Sequence, residues 1–318
     1  MAKILITGGS GFLGRHLANN LKGEHEVILC SRNQKQLLMA AAKCGVQSLP
    51  LDVSNYSATI EVFQRILPDI VIHAAATKFV DLAEKYPNEC IDINVLGSQN
   101  VARAAMQTKV QYVIGISTDK AAAPIANIYG MTKAIMEKLF TSLDNVTETR
   151  FSCVRYGNVA WSTGSVFPIW KRMIEENNHI VTTGPDMSRF FFPIQAAVDL
   201  IIASMQHQSD TAGKILSVPM KGTTMRRILD IWSREIGATW EIGERRTGDR
   251  NLEYLISETE IAATTPIFLE GKKYFLLNAN NSPVKTGLNE PFSSRSADQF
   301  SDDELKSLIL QSPSEDLL

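Results

Sequence analysis

Two short clusters hold most of the reactive side chains in this sequence. One is Thr118-Asp119-Lys120, and the other is Tyr129 with Lys133. A carboxylic acid beside an amine suits general acid–base work, because one delivers a proton while the other removes one. Tyrosine is a poor base at its reference pKa of ~10, and bringing it near neutrality takes ~4 kcal/mol. Tyr129 and Lys133 are four residues apart, so on a helix they share one face. An ammonium there supplies part of that energy by stabilising the phenolate. Two plainer readings compete: Asp119 and Lys120 as a surface ion pair, and Tyr129 with Lys133 as an ordinary exposed helical pair.

These residues need a scaffold, and the first half of the chain describes one. Short apolar, β-branched runs at 3–7, 26–30, 47–51, 69–73 and 112–117 alternate with amphipathic stretches at 12–21, 34–43, 58–67, 90–107 and 128–140. Continuous apolar strands are buried on both faces, and strict β/α alternation implies right-handed crossovers. The expected fold is α/β, a doubly wound parallel sheet of the Rossmann type. A sixth strand is expected at 151–156. Beyond about residue 160 the rhythm gives way to mixed short elements with Gly184-Pro185 and Gly248-Asp249 turns. The expected division is a dinucleotide-binding domain over 1–160, with later sheet elements from about 190–220. A smaller, interleaved substrate lobe covers 161–318. In such sheets ligands bind outside the carboxyl ends of the strands, where Thr118, Asp119 and Lys120 fall.

The first strand runs into Gly8-Gly9-Ser10-Gly11-Phe12-Leu13-Gly14, and a helix follows. Gly8 permits the tight turn, Gly11 lets backbone approach a pyrophosphate, and Gly14 lets helix and strand pack closely. The helix N-terminus offers free N–H groups to the phosphates. These features predict a nicotinamide dinucleotide, whose positive ring would further favour a phenolate at Tyr129. No acid follows the second strand. Ser31, Arg32 and Lys35 stand there instead, which favours a 2′-phosphate and hence NADP; the competing reading makes Arg32 and Lys35 ordinary solvated charges. Asp52 with Val53 is placed against the adenine, Ala74-Ala75-Ala76 leaves space for the cofactor, and His73 reads as a packed strand-end residue.

These motifs, taken together, resemble the UDP-N-acetylglucosamine 4,6-dehydratases of the soluble 5-inverting kind, a branch of the extended short-chain dehydrogenase/reductases. The resemblance rests on residues 117–120 with 129–133, on His73-Ala74-Ala75-Ala76-Thr77-Lys78, and on Arg155-Tyr156-Gly157-Asn158-Val159 with Gly164-Ser165-Val166. It also rests on Arg246-Thr247-Gly248-Asp249-Arg250 followed by Glu253. It spans the chain to about residue 255. It implies that Tyr129, assisted by Thr118 and Lys133, takes the sugar's C4 hydroxyl proton during oxidation by NADP. Lys120 then removes the C5 proton, and Asp119 protonates the departing C6 hydroxyl. For the substrate, Arg246 is expected at the diphosphate, Asn158 and Ser165 at phosphate or uridine, and Lys78 at the sugar; Arg189 and Glu253 are further candidates. The chain departs from the family pattern in a loop one residue longer between Lys120 and Tyr129, and at Trp161, Thr163 and Thr247.

The 318 residues carry a net charge of −2, which gives no nucleic-acid footprint. Cys30, Cys44, Cys90 and Cys153 match no metal or CxxC spacing and read as buried thiols. The five histidines form no HxxxH pair, so no metal site is expected. No leader and no apolar run of ~20 residues is seen, so a cytoplasmic protein without membrane contact is expected. The family resemblance implies a homo-oligomer. A nucleotide-sugar epimerase or reductase, and a non-catalytic NADP-binding sensor, remain alternative readings.

Overall fold

The computed structural model describes residues 1–144, 146–244, 247–279, 282–284 and 287–310. Six strands run parallel: β1 (Lys3–Thr7), β2 (Glu26–Ser31), β3 (Gln47–Pro50), β4 (Ile70–His73), β5 (Tyr112–Ile116) and β6 (Arg150–Arg155), in the order β6-β5-β4-β1-β2-β3. This is the doubly wound sheet expected from the alternating pattern. Alternate residues of each strand feed two separate cores. Ile4, Ile6, Leu29, Ile72 and Ile114 face one, while Leu5, Ile28, Val71 and Val113 face the other. That two-sided burial is why the strands read as unbroken apolar runs. The register sets Thr7 beside Cys30 and His73, and His73 beside Gly115, so these four strands end within one residue of the same level.

Helix boundaries follow their caps. Helix α1 (Phe12–Leu21) starts at Gly11 with no side-chain cap and no acid in its first turn. Helix α2 (Gln34–Cys44) starts at Asn33, whose side chain accepts from the Gln36 N–H, and ends at Gly45 with φ 67°. Helix α3 (Tyr56–Ile66) uses Asn55 in the same way. The helix Ile128–Leu143 is capped by Asn127, whose carbonyl accepts from the Gly130 N–H at 2.7 Å.

Two features depart from the sequence expectation. The single helix expected over 90–107 is broken into Pro87–Ile91, a π turn Asp92–Leu96 and Gly97–Gln107. The wide turn leaves Asn94 fully buried, with its amide bonded to both Thr77 backbone groups and to the Thr132 hydroxyl. Hydrophobic spacing does not distinguish such a turn from a continuous helix. Lys214–Ser217 lies parallel beside β6, within the range where later sheet elements were expected. But Lys272–Asn278 with Thr264–Leu269, in the stretch expected to be substrate lobe, also joins that sheet and closes its edge antiparallel.

The helix Ile194–Gln206 packs Ala197, Val198, Leu200 and Ile201 into the main-sheet core, and other elements of the second half form a smaller lobe. Ser188–Phe192 pairs with Asn158–Val159 and Lys221–Thr224, and His179–Thr182 pairs with Thr239–Ile242. A separate core of Phe167, Trp170, Phe191, Ile228 and Trp232 holds this lobe together. Trp161, with φ 62°, is buried there and donates its indole N–H to the Leu308 carbonyl. The four cysteines are buried free thiols. Among the described residues no helix is long and apolar enough to cross a membrane.

Candidate active site

A cleft of about 940 Å³ runs along the carboxyl ends of the parallel strands, between the sheet and the smaller lobe. At one end the Gly8–Gly14 turn forms its floor. A Cβ on Gly8 would stand 2.7 Å from the Ala74–Ala75 backbone, and one on Gly14 would stand 2.6 Å from Gly9. Both glycines therefore serve backbone packing. Gly11 differs: an added Cβ would meet Gly8 O at 3.1 Å and nothing else within 4 Å. It borders the cleft, as do Ser10, Phe12 and Leu13. The first N–H groups of α1 thus face the cleft without a capping side chain, which is the arrangement that accepts a phosphate.

The other residues expected around a dinucleotide divide into two groups. Ser31, Arg32, Val53, Ala74, Ala75 and Ala76 border the cleft. Lys35 is exposed on α2 and Asp52 holds Ser54 through its N–H and hydroxyl; neither is among the residues bordering the cleft. His73 is fully buried, bonded to Thr7 and Ser98, and burial holds it down at about 3, so it packs the strand end as a neutral ring.

The reactive cluster sits where β5 ends. Thr118, Lys120, Tyr129 and Lys133 border the cleft, whereas Asp119 lies fully buried behind it. One Asp119 oxygen accepts from the Thr118 hydroxyl at 2.9 Å and from the Lys120 ammonium at 3.1 Å. The other, Oδ2, is buried with no hydrogen-bond partner among the described residues. Burial pushes the Asp119 carboxyl up, and the negative charge of Glu253 adds to this against the pull of Lys120. For Lys120 burial works downward, but the carboxylates of Asp119 and Glu253 outweigh it and raise the amine. Tyr129 is pushed up to about 12 by burial, while the Lys120 charge and the nearby Thr118 hydroxyl pull it back. Lys120 is thus the cation acting most strongly on the phenol. Burial also draws Lys133 down to about 8, and its amine contacts Met136 Sδ at 3.5 Å.

A glycine brings these pieces together. A Cβ on Gly130 would lie 2.2 Å from the Lys120 carbonyl oxygen, so the helix that carries Tyr129 and Lys133 packs directly against the Lys120 backbone. The intervening loop is held by Arg250, which donates to the carbonyls of Asp119, Ala122 and Pro124.

The expected substrate residues also separate. Lys78, Asn158, Ser165 and Arg189 border the cleft, and the Ser165 hydroxyl has no hydrogen-bond partner among the described residues. Arg189 lies 4.0 Å from Asp249 and 3.9 Å from Glu253. Glu253 is buried beneath the wall and pairs with Arg250. Arg246 lies outside the described residues.

Sequence reasoning gave Arg250 and Asn94 no role. Arg250 stood within a quoted motif, but its partners are carbonyls more than 120 residues away, which no local pattern reveals. Asn94 ties the segment after β4 to the Tyr129 helix through Thr132. Its signal was weak: an asparagine in an otherwise apolar helical stretch.

Fold and site together define a Rossmann-type α/β protein with a cluster of buried titratable side chains at the carboxyl edge of its sheet. The chain belongs to the polysaccharide biosynthesis protein family, which it matches over residues 4–270. It is 33% identical to a UDP-glucose 4-epimerase of Rickettsia bellii over 96% of this chain and 95% of that protein. The X-ray structure of Pen from Bacillus thuringiensis superimposes with a TM-score of 0.88 at 28% identity, covering 100% of this chain and 98% of that one. A Thermus thermophilus UDP-glucose 4-epimerase in complex with NAD shares the fold, with a TM-score of 0.70 at 20% identity over 78% of this chain and 88% of that one.

Proposed function

We propose that this chain is a nucleotide-sugar 4,6-dehydratase that acts on UDP-N-acetylglucosamine or a close relative, with NADP as its resident cofactor. The observation that carries the reading is the Asp119–Lys120 contact at 3.1 Å, set beside Thr118 and Tyr129. Moving a hydrogen at one carbinol carbon needs a tyrosine base alone. Removing water across two carbons needs an acid and a base as well.

The dinucleotide fits the uncapped start of α1, the open side of Gly11 and the Ser31 hydroxyl, which has no hydrogen-bond partner among the described residues. Arg32, which follows β2 and lies 3.9 Å from Glu89 across the cleft lining, supports NADP over NAD because the end of β2 itself carries no acid. Bound there, the nicotinamide would take hydride at C4 of the sugar and return it at C6. Tyr129 takes the C4 hydroxyl proton, and Lys120 stabilises the phenolate electrostatically. The ketone acidifies C5–H. Passage of a proton from Lys120 Nζ to Asp119 Oδ1 breaks one N–H bond and forms one O–H bond. It leaves a neutral amine as base and a carboxylic acid as donor. Lys120 then accepts the C5 proton as the C5–H pair forms the new double bond. The C6 hydroxyl leaves as water with a proton relayed from Asp119 through the Thr118 hydroxyl, which is hydrogen-bonded to it and borders the cleft. C5 regains a proton from Lys120 once C6 is reduced. Lys78, Asn158, Ser165 and Arg189 are the proposed substrate contacts, together with Arg246. The names of the Rickettsia relatives favour a second reading, 4-epimerisation of a UDP-hexose on the same site.

Incubation with UDP-N-acetylglucosamine in deuterated water separates the two. A 4-keto-6-deoxy product labelled at C5 supports dehydration, and a C4 epimer that keeps its C6 hydroxyl refutes it. Lys120→Ala should abolish elimination while dinucleotide binding survives; loss of that binding would remove Lys120 from the proposed role.

A further inference from the structure

We propose that Glu253 is a positioning residue that governs where the shared proton of the Lys120–Asp119 pair resides. Its carboxylate is 2% exposed and lies 3.6 Å from the Lys120 ammonium, on the side away from the cleft. It is rigidly mounted. The Glu253 N–H donates to the Ser294 hydroxyl at 3.1 Å, and the Ser294 N–H returns a bond to the Glu253 carbonyl at 2.8 Å. The Arg250 Nε donates to its carboxylate at 2.8 Å, and the same guanidinium grips the carbonyls of the loop that follows Lys120. One strut therefore fixes the carboxylate and the loop carrying the amine in a single frame.

The charged groups facing Lys120 are Asp119, Glu253, Arg189 and the Tyr129 phenol, with Asp249 and Arg250 one contact further out. The two carboxylates in contact with the amine both favour its ammonium form, and Arg189 opposes them. They act on opposite sides of the proton transfer. Asp119 receives the proton, whereas Glu253 stays ionised because Lys120, Arg189 and Arg250 together overcome its burial. Glu253 thus holds the proton on Lys120 in the resting protein and raises Asp119, its like-charged neighbour. Removing that charge lowers the pH at which each of the two titrates. The catalytic consequence rests on the dehydratase reading; the electrostatic assignment does not.

The test is competitive labelling of the full-length chain with acetic anhydride across a pH series, read peptide by peptide by mass spectrometry. Lys35, exposed on α2, is the internal reference. In the wild type, Lys120 should gain reactivity at higher pH than Lys35. In Glu253→Gln, the neutral fraction of Lys120 at a given alkaline pH should rise roughly tenfold or more, as expected for loss of one charge within ~4–6 Å. Glu253→Asp should restore most of the wild-type profile. An unmoved Lys120 profile in folded Glu253→Gln overturns the proposal. So does a wild-type Lys120 that titrates with or below Lys35, and this second measurement decides the matter even where the variant does not fold. No sugar nucleotide is used, so a chain that fails to dehydrate UDP-N-acetylglucosamine defeats the functional reading and leaves the Glu253 assignment standing.

Discussion

Gly130→Ala places one methyl group between the two halves of the reactive cluster. Helix propensity alone predicts a gain, since alanine is better than glycine in a helix by about 1 kcal/mol. The geometry predicts a loss. The new Cβ would sit 2.2 Å from the Lys120 carbonyl oxygen, and real Cβ contacts essentially never fall under 3.0 Å, so the backbones must part by roughly 0.8 Å. The obstacle is a carbonyl within the segment that Arg250 braces, not the flexible end of a side chain. Overpacking of this kind costs about 1–3 kcal/mol, which offsets the propensity gain and leaves a net destabilisation. At about 2–4 °C per kcal/mol, Tm should fall by a few degrees. The same displacement separates Tyr129 from Lys120, and a shift near 1 Å costs on the order of 10²-fold in rate. Thermal melting reads the first effect without any substrate, and turnover of UDP-N-acetylglucosamine at saturation reads the second. A Tm equal to or above that of the wild type would refute the close-approach argument outright.

Three further outcomes are expected. Burial holds His73 at about 3, below its ordinary value near 6.5, so the unfolded chain binds a proton that the folded one excludes. This residue should make stability fall as pH drops from about 6.5 toward 3, by at most about 1.4 kcal/mol per pH unit, and His73→Gln should flatten that slope in denaturant titrations. Arg32→Ala should weaken NADP binding by about 10- to 100-fold, the worth of a charge-assisted hydrogen bond, with far less effect on NAD; equal losses in calorimetry would remove Arg32 from the 2′-phosphate. Asn94→Ala strips a buried amide that joins Thr77 to Thr132 and should cost about 1–3 kcal/mol in urea unfolding, so an unchanged midpoint would show that the π turn needs no such tie.

Much of the scaffold was written locally. Strands buried on both faces must be apolar at every position, so β1, β2, β4 and β5 stood out along the chain. Gly8 and Gly14 reported a backbone turn that side chains would block, and Gly11 marked its open face toward the cleft. That Tyr129 and Lys133 lie on one helix followed from their spacing, but the Lys133 amine meets Met136 Sδ and the cation acting on the phenol is Lys120. The placement of Asp119 and Lys120 followed from where β5 ends. The tertiary structure decided what each of these residues faces. Asp119 and Lys120 are neighbours in sequence, yet one is sealed behind the cleft and the other borders it, because the chain turns at that point. Glu253 sat in a motif expected at the substrate and lies instead behind Lys120, where Arg250 and Ser294 hold it. The strand Lys214–Ser217 joins the main sheet beside residues about 60 positions earlier, and the loop after Lys120 is braced by Arg250 from more than 100 positions away. Local spacing records which side chains share a face, but the partner of a buried charge is set by which distant backbone arrives beside it.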